Sequence, residues 1–331
     1  MGASATGLGV RRWLGRKVIG KAVQRHAIDL MIFPSPCAEA QECGAPFMMT
    51  IHDIAHLTNP EFPEVSSGGE FERREAIYRA ASKATAVLVD STTSAEDIVK
   101  HYGADRARVH PLPSVPPPYL STRVTEEQKE EVRQKYGLPP EYIFYPAQFW
   151  PHKNHLRLVE AASRVPGMSV VFGGSEKVPF STAEEVRRQA TELLPGRSWM
   201  LGYIPAEDMA PLYAASTMLV MPTFFGPTNI PIMEAFALGV PVITSNLRGV
   251  PEQTGDAALL VDPKNVDAMA EAIGRLRSDP SLRAGLAARG KARAQGWTSE
   301  NFGRKLLAVV ETCGGLIGKT AAALPPKAGR G

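Results

Sequence analysis

The chain has 331 residues, of which 44% are hydrophobic and 21% charged, proportions typical of a soluble globular protein long enough for two domains. A formal net charge of +3 is too near balance for nucleic acid to be the main partner. Its three cysteines form no disulfide framework and no zinc pattern, and no apolar run approaches the roughly 20 residues of a membrane span. We therefore expect a cytoplasmic protein.

The basic residues near the amino terminus fall on a predicted amphipathic helix over residues 10–27. Its apolar residues recur at helical spacing and are separated by Arg11, Arg12, Arg16 and Lys17. Such a helix is compatible with peripheral contact at the inner face of a membrane, and a solvated basic face is the simpler interpretation.

The first half of the chain alternates short apolar runs with helical patterns, which predicts a parallel sheet with helices on its faces. The predicted strands are residues 29–34, which we expect to be buried, 47–51, 86–89 and 108–112. Residues 57–70 are predicted to be a loop and residues 73–83 a helix. Thr93 and Glu96 match a capping box that opens a helix ending near Tyr102.

A proline-rich segment separates the two halves. Residues 111–118 contain five prolines and are followed by the charged stretch 126–135, which together indicate an interdomain linker. The end of the chain is rich in alanine, glycine and proline, which favours disorder. We therefore expect a first domain over residues 1–125, a second domain over residues 138–315 and a disordered tail over residues 316–331.

The second half contains six predicted strands, which indicates a doubly wound sheet of its own. These strands are residues 142–145, 169–172, 199–201, 218–221, 240–244 and 258–261. In a sheet of order 3-2-1-4-5-6 the first and fourth strands are neighbours, and ligands bind in the crevice at their carboxyl ends. The loops that follow these two strands, residues 146–155 and 222–230, are therefore expected to meet.

The loop after the fourth of these strands leads into a helix suited to binding phosphate. Pro231 suits a first helical turn, and Gly239 suits the position just past the helix end. Unpaired N–H groups and the positive end of the helix dipole attract anions to such an N-terminus. Lys153, in the loop after the first strand, would stand opposite, and together they would hold a diphosphate.

Neighbouring positions would complete the site. Gly173 and Gly174 end the second strand, where a backbone can approach a base or a ribose, and Glu234 could accept hydrogen bonds from ribose hydroxyls. Each position also has a simpler explanation. Glycines commonly make turns, a lysine before a helix is usually solvated, and a first-turn carboxylate interacts with the helix dipole by about 0.3 to 1 kcal/mol.

Longer segments of the second half resemble a known family. FYPAQFWPHKNHLRLVEAA, VVFGGSE and the stretch from LGYIPAEDM to ALLVDP are similar to the donor-binding half of retaining GT-B glycosyltransferases, the glycosyl transferases group 1 or family 4. The resemblance implies an α/β fold with two Rossmann-like domains facing a cleft. It implies transfer of a sugar, with retained anomeric configuration, from a UDP-, GDP- or ADP-sugar to a sugar or lipid-linked acceptor. No metal or other cofactor is implied, and the products would be polysaccharides, lipopolysaccharides or glycolipids.

The resemblance also assigns roles to individual residues. Lys153 corresponds to the family lysine on the diphosphate, and Glu234 corresponds to the glutamate that holds the ribose. The loop expected to lie against the sugar comprises Gly226, Pro227, Thr228 and Asn229.

Two positions depart from the family pattern. Gln148 stands where the family usually has an arginine, so one charge is lost, although an amide can still donate two hydrogen bonds. Gly226 stands where the family usually has a second glutamate, whose place loop amides, with Thr228 and Asn229, would take. Because of both departures, the resemblance does not identify the donor sugar-nucleotide or the rate of sugar transfer.

In the first half, TIHDIAH resembles the family segment whose histidine approaches the donor sugar, and His52 corresponds to that residue. The acceptor would attack from the leaving-group side, with His52 stabilising positive charge or orienting a sugar hydroxyl. A zinc site formed by His52 and His56 is the alternative. Because His52 ends a predicted strand, the helical geometry that would bring the two rings together is not expected, and we expect His56 to pack or cap.

Family members have further strand–helix units ahead of the segment that residues 29–34 resemble. Either the true start lies upstream of Met1, or residues 1–125 are an incomplete acceptor-side domain. A truncated, non-catalytic relative that binds a nucleotide-sugar or a protein partner without turnover is the alternative function.

Overall fold

In the computed structural model, which describes residues 18–117, 120 and 124–323, the chain divides into two compact units. The first unit takes the described residues up to Ile54, Gly69–Pro113 and the chain from Phe302 onward. The second unit takes Ala55–Gly68 and the described part of Ser114–Asn301. This division differs from the single linker that the sequence indicates, because each unit includes a segment from the other half of the chain.

The first unit is built on a four-stranded parallel sheet of order β1-β2-β3-β4. Its strands are β1 (Met31–Phe33), β2 (Phe47–Ile51), β3 (Ala86–Val89) and β4 (Val109–Pro111). The central strand β3 is buried throughout, as expected for a parallel strand covered on both faces. The expectation of a buried first strand is wrong: β1 lies at the edge of this sheet, and Ile32 is 46% exposed.

Helices pack around this sheet. They are the 3-10 helices Ala38–Gln41, Arg79–Lys83 and Arg106–Arg108, and the α-helices Glu70–Tyr78, Thr92–Tyr102 and Ser299–Ala323. The predicted capping box is wrong by two residues. Ser91 is the N-cap of the helix after β3, and its Oγ accepts a hydrogen bond from the Ser94 N–H at 3.0 Å.

The C-terminal helix Ser299–Ala323 contributes to the core of the first unit. Cys313 is buried in a cluster with Met48 and Leu88, and Phe302 is among the partly buried residues packed against that cluster. The expectation of disorder from residue 316 is therefore wrong as far as Ala323, because the helix continues to that residue. Residues 324–331 lie outside the described part of the chain.

Only part of the predicted N-terminal helix falls within the described residues. Residues 18–25 are helical, whereas residues 10–17, with the four basic side chains that suggested membrane contact, lie outside them. Across the described ranges, no helix combines the length and the apolar character that crossing a bilayer requires.

The second unit contains a six-stranded parallel sheet of order β10-β9-β8-β5-β6-β7. Its strands are β5 (Tyr142–Pro146), β6 (Ser169–Gly173), β7 (Ser198–Met200), β8 (Met218–Met221), β9 (Val242–Ser245) and β10 (Ala258–Val261). This order confirms the predicted doubly wound arrangement, since β5 and β8 are neighbours and Phe144 pairs with Leu219. The loops after β5 and β8 therefore leave the sheet side by side.

Among its described residues, the second unit contains four helical segments that the sequence did not predict. Its helices are Ala55–Thr58, Pro63–Ser66, Glu126–Tyr136, the 3-10 turn Pro151–Lys153, His155–Ser163, Ala183–Leu193, Ala206–Ala215, Ile230–Leu238, Val250–Thr254, Val266–Ser278 and Pro280–Ala294. The first overlaps the start of the loop predicted over residues 57–70, the second lies within it, and the 3-10 turn lies in the loop predicted over residues 146–155. The charged stretch assigned to the linker is a helix opened by a capping box of Thr125 and Gln128.

A histidine lies within the aromatic core of the second unit. The His155 ring stacks on Phe149, with centroids 4.5 Å apart, and lies 4.8 Å from the ring of Tyr145. Burial lowers the pKa of His155 to about 3, because the imidazolium loses its hydration there. The ring is therefore neutral in the folded protein at neutral pH.

This burial predicts that the second unit loses stability in mild acid. The unfolded chain takes up a proton at His155 near pH 6.5, whereas the folded protein does so only near pH 3. The stability that the neutral buried ring contributes is therefore fully present above pH 6.5 and is lost as the pH falls toward 3. When the pH is lowered from 7 to 5, the free energy of unfolding should fall in the parent. In His155→Leu this fall should be smaller by about 1 to 2 kcal/mol. Urea titrations followed by the fluorescence of Trp150, Trp199 and Trp297, which lie in this unit, measure the difference.

The control is His101→Gln, at an exposed position in the first unit, which should follow the parent. An unchanged pH dependence in His155→Leu would contradict the assignment of the neutral buried ring.

Candidate functional site

The loop after β5 is tied to two other strand ends by the side chain of Asn154. Asn154 has φ 60° and ψ 32°, in the left-handed region that asparagine tolerates better than most residues. Its buried Nδ2 donates hydrogen bonds to the carbonyl oxygens of Pro222 at 2.9 Å and Pro263 at 2.8 Å. These prolines lie in the loops after β8 and β10, so one amide group joins three loops at the carboxyl edge of the sheet.

The loops after β5 and β8 meet, as the strand order predicts. The Phe224 N–H donates a hydrogen bond to the His152 carbonyl at 2.8 Å, and Thr223 Oγ1 donates to the same oxygen at 3.2 Å. The rings of His152 and Phe225 stack with their centroids 3.9 Å apart. Lys153 is the next residue of this turn, and its own carbonyl accepts a hydrogen bond from the hydroxyl of Tyr145 at 2.8 Å. The turn that contains Lys153 is thus fixed against the loop that precedes the helix Ile230–Leu238, which we name the phosphate helix.

Gln253 clamps the backbone just before the phosphate helix. The Asn229 N–H donates to Gln253 Oε1, and Gln253 Nε2 donates back to the Asn229 carbonyl, both at 2.9 Å. Asn229 Nδ2 also donates to the Gly226 carbonyl at 3.3 Å, and Gly226 has a φ of 118°. A Cβ on Gly249 would lie 2.5 Å from the Pro227 carbonyl oxygen, so only glycine permits this approach. Thr228 lies within the same clamped loop.

The phosphate helix begins and ends as the sequence predicts. Pro231 lies in its first turn, and Gly239 follows its last residue with a φ of 72°. Asn229 is the N-cap, and its side chain makes no capping hydrogen bond to the first-turn amides. The first-turn amides of the helix are therefore not capped by the side chain of Asn229.

Glu234 is held in place by a tyrosine. Its side chain is buried within the phosphate helix, and Oε2 accepts a hydrogen bond from the hydroxyl of Tyr213 at 2.5 Å. The buried ring of Tyr213 packs edge-on against Phe144, with centroids 4.9 Å apart. One carboxylate oxygen of Glu234 is thus oriented before any ligand arrives, by a residue that the sequence analysis missed.

Close packing accounts for the glycines at the end of β6. A side chain at Gly173 would collide with Ile204, and a Cβ on Gly174, where φ is 127°, would lie 2.6 Å from the carbonyl of Ala147. The end of β6 therefore lies directly against the loop after β5. In that loop, Gln148 Oε1 accepts a hydrogen bond from Trp150 Nε1 at 2.9 Å.

His52 lies at the carboxyl edge of the first unit's sheet. It follows β2, Asp90 follows the neighbouring β3, and His52 Nδ1 lies 3.3 Å from Asp90 Oδ1. The hydrogen bond to Asp90 raises the pKa of His52, whose side chain is 49% exposed. His56 is buried in the helix Ala55–Thr58, which belongs to the second unit. Within the described ranges, no group of three or more histidine, cysteine, aspartate or glutamate side chains could hold a metal ion.

Comparison with known proteins identifies the family. A family profile described as "Glycosyl transferases group 1" matches residues 128–293, half of the chain. The chain belongs to the glycosyl transferases group 1 family. O-antigen chain mannosyltransferase B of Escherichia coli is 32% identical over 262 residues, which are 76% of this family member and 66% of that protein. This family member therefore spans less than two thirds of that relative's length.

Solved structures share the fold of this glycosyl transferases group 1 protein. A glycosyltransferase from Rickettsia africae superposes with a TM-score of 0.76 at 19% identity, covering 95% of this chain and 84% of that one. Anabaena HepE, crystallised with UDP, superposes with a TM-score of 0.72 at 20% identity. The superposition covers 93% of this chain and 82% of that one. These likenesses establish the GT-B fold of two parallel-sheet domains, as the resemblance implies.

The contact between His52 and Asp90 predicts a measurable pKa difference. Asp90→Asn should lower the pKa of His52, because the neutral amide cannot stabilise the imidazolium as the carboxylate does. Titration of the histidine ring resonances by NMR compares the two proteins. Asp105→Asn, at an exposed aspartate of the same unit, is the control. Identical His52 titrations in the parent and Asp90→Asn would show that the pair does not form in solution.

The role of Asn154 predicts a stability difference between two substitutions. Asn154→Gly keeps the left-handed backbone but removes both hydrogen bonds, and should lower the free energy of unfolding by about 1 to 3 kcal/mol. Asn154→Asp should be less stable still at neutral pH, because its carboxylate would face two carbonyl oxygens. Urea unfolding of the three proteins provides the values, and an Asn154→Asp variant as stable as the parent would refute the contact.

Proposed function

We propose that this protein transfers a sugar from a nucleotide-sugar donor to an acceptor hydroxyl. The observation that carries the proposal is the contact between the turn containing Lys153 and the loop leading into the phosphate helix, where Phe224 bonds to the His152 carbonyl. A lysine ammonium and a helix N-terminus both stabilise phosphate oxygens, and the turn and the loop that carry them meet where the sheet reverses its winding order. Family membership supports the same activity.

In this proposal each part of the donor has its own partners. Lys153 and the first-turn amides of the phosphate helix hold the diphosphate. Glu234, oriented by Tyr213, accepts hydrogen bonds from the ribose hydroxyls. The remaining contacts involve the backbone of Gly173 and Gly174 beside the base or ribose, the amide of Gln148 near the diphosphate, and the loop residues Gly226, Pro227, Thr228 and Asn229 against the sugar.

The proposed reaction exchanges one bond at the anomeric carbon for another. The bond from this carbon to the diphosphate oxygen breaks, and a bond to the acceptor oxygen forms. The acceptor proton passes to the departing phosphate oxygen, so the products are the glycosylated acceptor and a nucleoside diphosphate. Attack from the leaving-group side would retain the anomeric configuration. Stabilising the departing diphosphate lowers the barrier because negative charge develops there in the transition state.

For His52, the contact with Asp90 favours one of the two roles considered. The Asp90 carboxylate engages Nδ1 and so fixes the orientation of the ring, which hydrogen bonding to one sugar hydroxyl requires. We therefore assign His52 the orientation of a sugar hydroxyl through hydrogen bonding.

The names of similar proteins guide the choice of substrates. The relative from Escherichia coli is named as an O-antigen chain mannosyltransferase, and Anabaena HepE was crystallised with UDP. We propose a nucleoside-diphosphate hexose as donor and a sugar or lipid-linked saccharide of a surface polysaccharide or lipopolysaccharide as acceptor. Contact with a membrane surface would bring the protein to a lipid-linked acceptor.

Incubation of the purified chain with UDP-, GDP- and ADP-hexoses and saccharide acceptors tests the activity. Release of the nucleoside diphosphate together with a glycosylated product is the expected result, and NMR of the new glycosidic bond shows whether configuration is retained. Donor binding without transfer or slow hydrolysis would favour a non-catalytic relative instead.

Donor titrations test the diphosphate and ribose contacts. Lys153→Ala and Glu234→Gln should each weaken donor binding by about 1 to 3 kcal/mol, the range for charge-assisted hydrogen bonds. Isothermal titration calorimetry measures both, and Lys100→Ala, at an exposed lysine of the first unit, is the matched control. Parent-like affinity in both variants would place the donor elsewhere.

A further inference from the structure

The segment Ala55–Gly68 follows β2 in the chain but belongs to the second unit. Its Phe62 packs against three rings at the carboxyl edge of the second sheet. The ring centroids lie 5.4 Å from Phe224, 5.6 Å from Phe225 and 6.4 Å from His152. This segment therefore packs on the same two loops that form the candidate donor site.

Glu64, in the short helix Pro63–Ser66, is the polar part of this contact. Its side chain is 5% exposed, and Oε1 lies 2.7 Å from His152 Nδ1 while accepting a hydrogen bond from the His152 N–H at 3.0 Å. Burial alone raises the pKa of Glu64, but the hydrogen bonds from the His152 ring and from the backbone N–H groups of Glu64 and His152 outweigh burial, and the net pKa is lowered. Glu64 is therefore a carboxylate at neutral pH, which requires the proton of the His152 ring to lie on Nδ1.

Among the described residues, one oxygen of the Glu64 carboxylate is left unsatisfied by this arrangement. Glu64 Oε2 is buried and has no hydrogen-bond partner in the part of the chain that the structure describes. A buried carboxylate with an unsatisfied oxygen costs free energy that an apolar side chain of similar size would avoid. Groups of this kind often serve to specify a geometry, and here the geometry is that of His152.

Contacts from several residues hold His152, including the Thr223 hydroxyl and the Phe62 ring described above. Glu64 binds its ring and its N–H, Phe225 stacks on its ring, and Phe224 donates to its carbonyl. Lys153 is the next residue and the last of the three-residue 3-10 turn Pro151–Lys153. A turn this short has little internal hydrogen bonding, so its orientation depends on such outside contacts.

We infer that Glu64 is a positioning residue for the donor site, which holds the turn His152–Lys153 in the orientation that directs Lys153 toward the amino end of the phosphate helix. The effect on donor binding rests on the proposed function, whereas the ordering of the turn does not.

Donor titrations of Glu64 variants provide the first test, with UDP-glucose and GDP-mannose as probes. Glu64→Leu should bind the donor about tenfold more weakly, as expected for the loss of an ordered charge-assisted contact. Glu64→Gln should stay within about threefold of the parent, because its amide oxygen can accept the same hydrogen bonds. Glu72→Leu, at an exposed position of the helix Glu70–Tyr78 in the first unit, should bind like the parent. If Glu64→Leu fails to fold, Glu64→Asp replaces it, because an aspartate is too short to reach both His152 donors. Glu64→Asp should then lose more donor affinity than Glu64→Gln and less than the roughly tenfold expected for Glu64→Leu.

A double-mutant cycle separates positioning from general destabilisation. If Glu64 acts through Lys153, then adding Glu64→Leu to Lys153→Ala should change donor affinity by less than about twofold. A purely structural role would weaken binding by the same factor in both backgrounds, and that result would overturn the inference.

Hydrogen exchange tests the ordering without any nucleotide. In Glu64→Leu, the amides of His152 and Phe224 should exchange at least about tenfold faster than in Glu64→Gln, while the strands of the second sheet keep their protection. If no variant and no parent protein binds a donor, the proposed function fails, but the exchange rates still decide whether Glu64 orders the turn. Equal exchange at His152 in the parent, Glu64→Gln and Glu64→Leu would refute the inference.

Discussion

The second unit depends on keeping two loops side by side at the point where its sheet reverses winding order. Strand pairing brings the ends of β5 and β8 together, but it does not determine the path of the backbone beyond them. That path is set by Asn154, which bonds to two proline carbonyls, and by the His152 carbonyl, which accepts two donors from the opposite loop. Every contact proposed for the diphosphate follows from this junction.

Buried polar side chains fix the geometry of the segments on both sides of this junction. Gln253 fixes the backbone before the phosphate helix through a reciprocal pair of hydrogen bonds. Tyr213 orients Glu234 within that helix, and Glu64 orients His152 on the other side of the crevice. Buried hydrogen bonds of this kind contribute modestly to net stability, yet removing one partner leaves a costly unsatisfied group, so they specify a single geometry. The proposed binding of a diphosphate would benefit from donors that are oriented in advance, since less ordering is then required on binding.

The sequence was sufficient for the parts of the molecule that depend on local pattern. The strands of the second sheet were located within two residues because buried parallel strands are continuous apolar runs between turn residues. Their order is the one expected of a doubly wound sheet, and the meeting of the Lys153 loop with the loop before Ile230 follows from that order. Pro231 and Gly239 marked the ends of the phosphate helix because each is favoured at its position for a local steric reason.

Contacts between distant residues could not be predicted in the same way. Glu64 and His152 are 88 residues apart, and His52 and Asp90 are 38 apart, so no periodicity connects them. The segment 57–70 was predicted to be a loop because its prolines and glycines are turn residues, and its packing on the second unit has no local signal. Similarly, the alanines and glycines after residue 315 suggested disorder, whereas the helix continues there to Ala323.

The central claim is that Lys153 and the amino end of the phosphate helix hold the diphosphate of an activated sugar. A crystal structure of the chain with a bound nucleoside diphosphate tests it most directly. The account predicts phosphate oxygens about 2.7 to 3.2 Å from both Lys153 Nζ and a first-turn amide nitrogen of the helix Ile230–Leu238. A diphosphate bound away from this helix, with Lys153 directed elsewhere, would contradict it.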